Sequence, residues 1–147
     1  GRGKTGLVVL LLRAAVAAGK SIGWLCVPDW LSELRDAYTI AARNQREART
    51  ESELLAPHLT SQVLAIDDLG AEHIPADERA TWVRSMVGGL LSRRESLELT
   101  TLVTTNCALD GKGETIQARY GDRVVSRLGR FRRVPMTAGP DRRRERT

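Results

Sequence analysis

Apolar and small side chains at Leu7, Leu10, Leu11, Ala14, Ala15 and Ala18 recur at the spacing of one helical face and stop at Gly19, which predicts a helix opening near Thr5. Ser21 to Val27 reads as a short buried strand, closed by Pro28-Asp29, which also caps the next helix. On that helix Leu31, Leu34, Tyr38 and Ala41 share one face. The polar run Asn44 to Thr50 reads as a turn or exposed helix end, and a short helical stretch comes next through Leu54 and Leu55. Val63-Leu64-Ala65-Ile66 is continuously apolar and ends in Asp67-Asp68, the pattern of a strand covered on both faces in a parallel sheet. Val83, Met86, Val87, Leu90 and Leu91 lie on one face of a further helix. Gly88-Gly89 weakens that helix by about 1 kcal/mol per glycine relative to alanine, and a close helix contact would explain the pair. Thr100 to Thr105 is β-branched and apolar, a third strand with Asn106 just beyond its end; Thr115 to Leu128 is helical with a break near Gly121; Phe131 to Thr137 reads as a last strand. The alternation implies an α/β domain built on a parallel sheet.

Length and composition narrow the class. A chain of 147 residues builds one core, with 41% apolar and 28% charged residues, as expected of a soluble globular protein. One domain is expected over residues 1–138, with a basic tail over 139–147. No apolar run approaches the roughly twenty residues that span a bilayer, because Leu7 to Leu12 is stopped by Arg13. There is no initiator Met and no signal-peptide pattern, so the natural start is expected upstream. Cys26 and Cys107 form no C-x-x-C pair and read as buried free thiols in a reducing, cytoplasmic setting. His58 and His73 lack partners at metal-ligand spacing and read as surface or locally bonded residues. The formal charge of +5 is concentrated at one end: from Arg119 onward there are ten arginines against three acidic residues. That end could meet nucleic-acid phosphates or could be a solvated basic tail.

The chemistry gathers at the expected strand ends, where ligands of open parallel sheets sit. Gly1-Arg2-Gly3-Lys4-Thr5 matches the back half of the phosphate loop G-x-x-x-x-G-K-[ST]. In such a loop successive backbone N–H groups face the phosphates, Lys4 supplies a cation and the Thr5 hydroxyl meets Mg²⁺. Asp67 would hold Mg²⁺ opposite Thr5, since that ion takes oxygen ligands and keeps several waters; the plainer alternative is a carboxylate capping a turn. Asp68 could polarise an attacking water, and Asn106 could hydrogen-bond a γ-phosphate or that water. Asp68 as a surface acid and Asn106 as an ordinary turn residue are the alternatives.

Four stretches together carry a resemblance: Gly1-Arg2-Gly3-Lys4-Thr5, V-L-A-I-D-D-L-G from Val63 to Gly70 with Glu72, L-V-T-T-N from Leu102 to Asn106, and G-D-R-V-V-S-R-L from Gly121 to Leu128. They resemble the DnaC and IstB family of AAA+ ATPases over nearly the whole chain. The resemblance implies a three-layer P-loop sandwich that here lacks its first, Walker A, strand. Gly1, Arg2, Gly3, Lys4, Thr5 and Gly6 would bind the nucleotide, Asp67-Asp68 would be the Walker B pair, and Asn106 the sensor-1 residue. Arg127 would be an arginine finger reaching the neighbouring subunit in trans, with Arg123 beside it, so a homo-oligomer is implied. The stretch Ala138 to Arg143 resembles the family's terminal G-x-D-x-R, with Arg143 as a nucleotide sensor. Two departures stand out: the front half of Walker A with its strand, and the N-terminal region by which such loaders grip a partner.

The resulting expectation is an ATP- and Mg²⁺-dependent ATPase that loads a replicative helicase onto DNA. A transposition helper acting with a transposase fits the same motifs. A switch that binds ATP without turnover is a third reading, because many wider AAA+ relatives carry a longer Glu at the position of Asp68, and a small-molecule kinase would leave V-S-R-L unexplained. Single-stranded DNA would be met through the basic C-terminal region. Trp24, Trp30 and Trp82 fall at core or helix positions, leaving no aromatic platform for base stacking. With its phosphate loop incomplete, the 147-residue chain is expected to bind ATP poorly.

Overall fold

A computed structural model describes residues 3–43, 50–72 and 78–136. Its elements run α1 (Lys4–Ala17), β1 (Ile22–Cys26), α2 (Val27–Arg43), α3 (Glu51–Thr60), β2 (Val63–Leu69), α4 (Glu78–Ser96), β3 (Thr100–Thr105), α5 (Ile116–Tyr120) and α6 (Asp122–Leu128). The three strands lie side by side in the order β1-β2-β3 and every pairing is parallel, with Ile22 opposite Val63 and Val63 opposite Thr100. β2 is central, which is why its apolar run is continuous rather than alternating.

Side-chain alternation divides the core. Val63, Ala65 and Leu102 point to one face and meet Val8, Leu12 and Ala15 of α1. Leu25, Leu64, Ile66 and Val103 point to the other and join Leu31, Leu34, Leu54, Val83, Val87, Leu90 and Val124 in the main cluster. The expected helical face of α2 is buried at Leu31 and Leu34, while the side chains of Tyr38 and Ala41 lie outside the described set. A capping box opens α3: the Thr50 hydroxyl accepts from Glu53 N at 3.2 Å and Thr50 N donates to Glu53 Oε2 at 2.7 Å. Helix α2 starts at Val27, directly after β1, so Pro28 and Asp29 sit in its first turn. Gly88 of α4 faces Val124 of α6, where an added Cβ would meet Val124 Cγ2 at 3.6 Å, an ordinary contact. Around Gly89 the space is open.

The guanidinium of Arg94, fully buried at 0% exposure, ties the lower end of the sheet together. It donates to His58 O (2.5 Å), Ser61 O (3.1 Å), Thr100 O (2.7 Å) and Thr101 Oγ1 (3.0 Å), joining α4 to the end of α3 and the start of β3.

Several expectations are corrected. On α1 the sheet buries Val8 and Leu12, not the stripe through Leu10 and Leu11, and Leu10 is 61% exposed. A single helix on that face of a three-stranded sheet meets it along a narrow line. Trp24 is exposed rather than core, because it projects from β1, an outer strand, on the thinly covered face. Cys26 and Cys107 are free but only half-buried. Residues 131–136 form no strand. Together with β3 they line a groove of about 880 Å³ without joining its ladder, and residue 137 lies outside the described set.

Candidate functional site

The N-terminus of α1 meets the C-terminal ends of β2 and β3, and there the predicted side chains converge. Gly3 adopts φ 86° at the N-cap, a left-handed conformation that turns the chain into the helix. The next two residues reach the strand ends directly. Lys4 Nζ donates to Asn106 Oδ1 at 2.5 Å. Thr5 Oγ1 lies 3.3 Å from each carboxylate oxygen of Asp67. Four residue types chosen from sequence position alone therefore make one cluster, spanning up to 102 residues of chain.

Asp67 is buried to 8% exposure and held by a partner that sequence reasoning missed. Thr104 Oγ1 donates to Asp67 Oδ1 at 2.5 Å and accepts from Asp68 N at 2.9 Å. One hydroxyl thus fixes both acids and locks β3 to β2. The only available signal was a pair of threonines closing a β-branched strand. Asp68 takes φ 55°, tolerated by a short polar side chain, and the ladder is irregular between Ile66 and Leu69. β2 consequently runs through the acids to Leu69, whereas the apolar run alone ended at Ile66. Thr105 Oγ1 donates to Leu69 O (2.6 Å) and accepts from Cys107 N (3.0 Å), which fixes the turn carrying Asn106.

A second polar cluster lies immediately beyond. The Glu72 carboxylate, 4% exposed, accepts from Gly70 N at 3.2 Å and from the Tyr120 hydroxyl. Arg119 donates to Glu72 O and places Nε 3.9 Å from Glu72 Oε1. Burial, then the hydrogen bond to Glu72, pushes the Tyr120 hydroxyl far above its ordinary value, so it stays protonated as a donor. The loop after the paired acids is thereby bound to α5.

Arg127 does not join the Lys4–Asn106 cluster. Its Nε lies 3.4 Å from Glu95 Oε2, and its Nη1 donates to Arg123 O at 3.0 Å; Arg130 shares Glu95 at 2.5 Å. Arg123 is exposed one turn earlier on α6, and Gly6 is exposed on the first turn of α1. Gly1, Arg2, His73 and Arg143 lie outside the described residues. His58 is locally engaged, its ring edge-on to Trp30 with centroids 6.1 Å apart.

The donor set suits a hydrated hard cation and a polyphosphate. Two oxygens held at right angles on one Mg²⁺ lie about 3 Å apart, close to the Thr5–Asp67 spacing. Waters would complete the shell, since among the described residues no group of three or more His, Cys, Asp or Glu could hold a metal ion. The N–H groups of the first turn of α1, which have no acceptor within the helix, and the Lys4 ammonium supply positive potential at the same point.

Comparison with known proteins bears on the fold. A solved structure described as a DNA replication initiation factor is similar with a TM-score of 0.56 at 17% identity, over 86% of this chain and 34% of that one. This chain thus spans about a third of that neighbour's length. At that identity the likeness establishes a shared α/β fold. No family model and no curated protein matches. Among the described residues no helix is long and apolar enough to cross a membrane.

Proposed function

We propose that this chain is the nucleotide-binding core of an AAA+ ATPase that binds ATP·Mg²⁺ and works in DNA replication as a helicase loader. The observation that carries the reading is the convergence of Lys4 on Asn106 and of Thr5 on Asp67 at the C-terminal edge of a parallel sheet. In this reading Lys4 and the N-terminus of α1 hold the phosphates, Thr5 and Asp67 hold Mg²⁺, and Asn106 orients the γ-phosphate or the attacking water. The ion would supply charge neutralisation on the phosphate oxygens. Asp68, half-exposed beside the cluster, is the candidate base for water. Arg127 would serve a neighbouring subunit, which requires its release from Glu95, and Arg123 lies on the same helix. The fold shared with a replication initiation factor and the arginine-rich end support action on DNA with a helicase partner.

Titration of the isotope-labelled chain with Mg·ATP tests the first step even when binding is weak. Backbone shifts are expected to move at Thr5, Asp68 and Asn106, and Lys4→Ala should abolish the movement while leaving the spectrum folded. Shifts confined to other regions, or unchanged in Lys4→Ala, would refute the nucleotide site.

A further inference from the structure

The turn that follows the paired acids is held more firmly than a surface loop requires. Ala71 N donates back to Asp68 O at 2.9 Å, closing a four-residue turn whose third position, Gly70, takes φ 94°. That bond leaves the middle peptide of the turn, Leu69 to Gly70, with its C=O and N–H open to other partners. Both are taken. Leu69 O accepts from the Thr105 hydroxyl of β3 at 2.6 Å. Gly70 N donates to Glu72 Oε2 at 3.2 Å and to the Tyr120 hydroxyl at 3.1 Å. One peptide plane is thus pinned from opposite ends, by β3 and by α5. Tyr120 is a firm post, because it is buried and Arg84 of α4 donates to Ala118 O (3.2 Å) and Arg119 O (2.8 Å) at the end of α5.

The pinned peptide sets the aim of Asp68. Among the described residues the bonds that hold Asp68 run through its backbone, from its N to Thr104 Oγ1 and from Ala71 N to its O. The direction of its carboxylate therefore follows from the left-handed backbone at φ 55°, which a residue with a Cβ keeps only under constraint. Rotating the Leu69–Gly70 peptide would open the turn and release that constraint. Glu72 supports the pin at a cost, since a buried carboxylate needs compensation; it comes from the Tyr120 hydroxyl and from Arg119 Nε 3.9 Å away. We propose that Glu72 and Tyr120 are positioning residues for ATP hydrolysis, holding the turn so that Asp68 stays beside the Thr5–Asp67 pair. Their role presupposes the nucleotide reading and adds to it two residues that act through Asp68.

The test follows hydrolysis of γ-labelled Mg·ATP in a single turnover, with the 147-residue chain in excess, for wild type, Tyr120→Phe, Asp68→Ala and the double variant. Tyr120→Phe keeps the buried ring and removes only the hydroxyl. The backbone shifts of Thr5 and Asn106 should titrate with Mg·ATP within twofold of the wild-type affinity, while hydrolysis slows by about tenfold. Asp68→Ala should slow hydrolysis by about a hundredfold. Adding Tyr120→Phe to Asp68→Ala should cost nothing more, because a group that acts only through Asp68 then has nothing to position. Glu72→Gln, which keeps one acceptor, should show the same pattern with a smaller loss, and it replaces Tyr120→Phe should that variant not fold. A further tenfold loss in the double variant would mark a general structural role and overturn the proposal. An undiminished rate in both Tyr120→Phe and Glu72→Gln would do the same. Wild-type shifts at Thr5 and Asn106 without hydrolysis above background would overturn it and spare the nucleotide site, whereas absence of those shifts would overturn both.

Discussion

Thr104 carries more of the site than its type suggests. Its hydroxyl bridges the Asp67 carboxylate and the Asp68 amide, both away from bulk water. Thr104→Val keeps the shape, strips this bond from Asp67 Oδ1 and leaves the Asp68 amide without its acceptor, so we expect a loss of about 1–3 kcal/mol in urea denaturation, with Thr104→Ser recovering most of it. His58 provides a pH signature. Burial, reinforced by the charge of Arg94 and opposed by Glu33, holds its imidazole below the ordinary value of 6.5. As pH falls below that value the unfolded chain takes up a proton that the folded chain refuses. This contribution is complete above pH 6.5 and is lost on acidification, so melting temperature should fall from pH 7 to 5 and His58→Gln should fall less. For the ATPase reading, turnover that is unchanged in Asp68→Ala would remove that residue as base, and turnover no higher than background with Asp68 present would favour a non-hydrolysing switch. Lys4, Thr5, Asp67 and Asn106 are legible in sequence because their types, at a helix start and at two strand ends, are jointly constraining. Thr104, Tyr120 and Arg94 are not, since a threonine in a strand or an arginine on a helix is ordinary until its three-dimensional partners are known.

The strands β1, β2 and β3 and the helices between them are readable because each has an unambiguous period or a continuous apolar run. Two elements escape such reading for one reason. The stripe on α1 and the strand at 131–137 are inferred from their own residues, while burial and ladder formation depend on which surfaces the sheet offers them. The break near Gly121, by contrast, is purely local and is legible. There α5 ends and α6 begins at φ 81° and ψ 174°, a region open to glycine and strained for any residue with a Cβ. No atom lies within 4 Å of where that Cβ would stand, so backbone strain acts alone. Gly121→Ala should therefore cost about 1–3 kcal/mol without a packing defect, visible as a lower melting temperature with an unchanged core methyl spectrum.

The charge asymmetry acts on the scale of the whole molecule. If the C-terminal arginines meet single-stranded DNA, affinity must fall steeply with salt, at about 0.7 in log–log slope for each phosphate neutralised. Replacing Arg142, Arg143, Arg144 and Arg146 with glutamine should reduce that slope by about 3 in fluorescence anisotropy titrations. An unchanged slope would place the contact elsewhere. The anchoring of β3 matters at the same scale. Arg94 grips its first residues at one end, and Thr104 clasps Asp67 at the other, so the strand is clamped at both ends although one flank is bare. Its shape is set without a partner strand on that flank. With both ends pinned, β3 can open only together with the elements that hold it, α4 and β2.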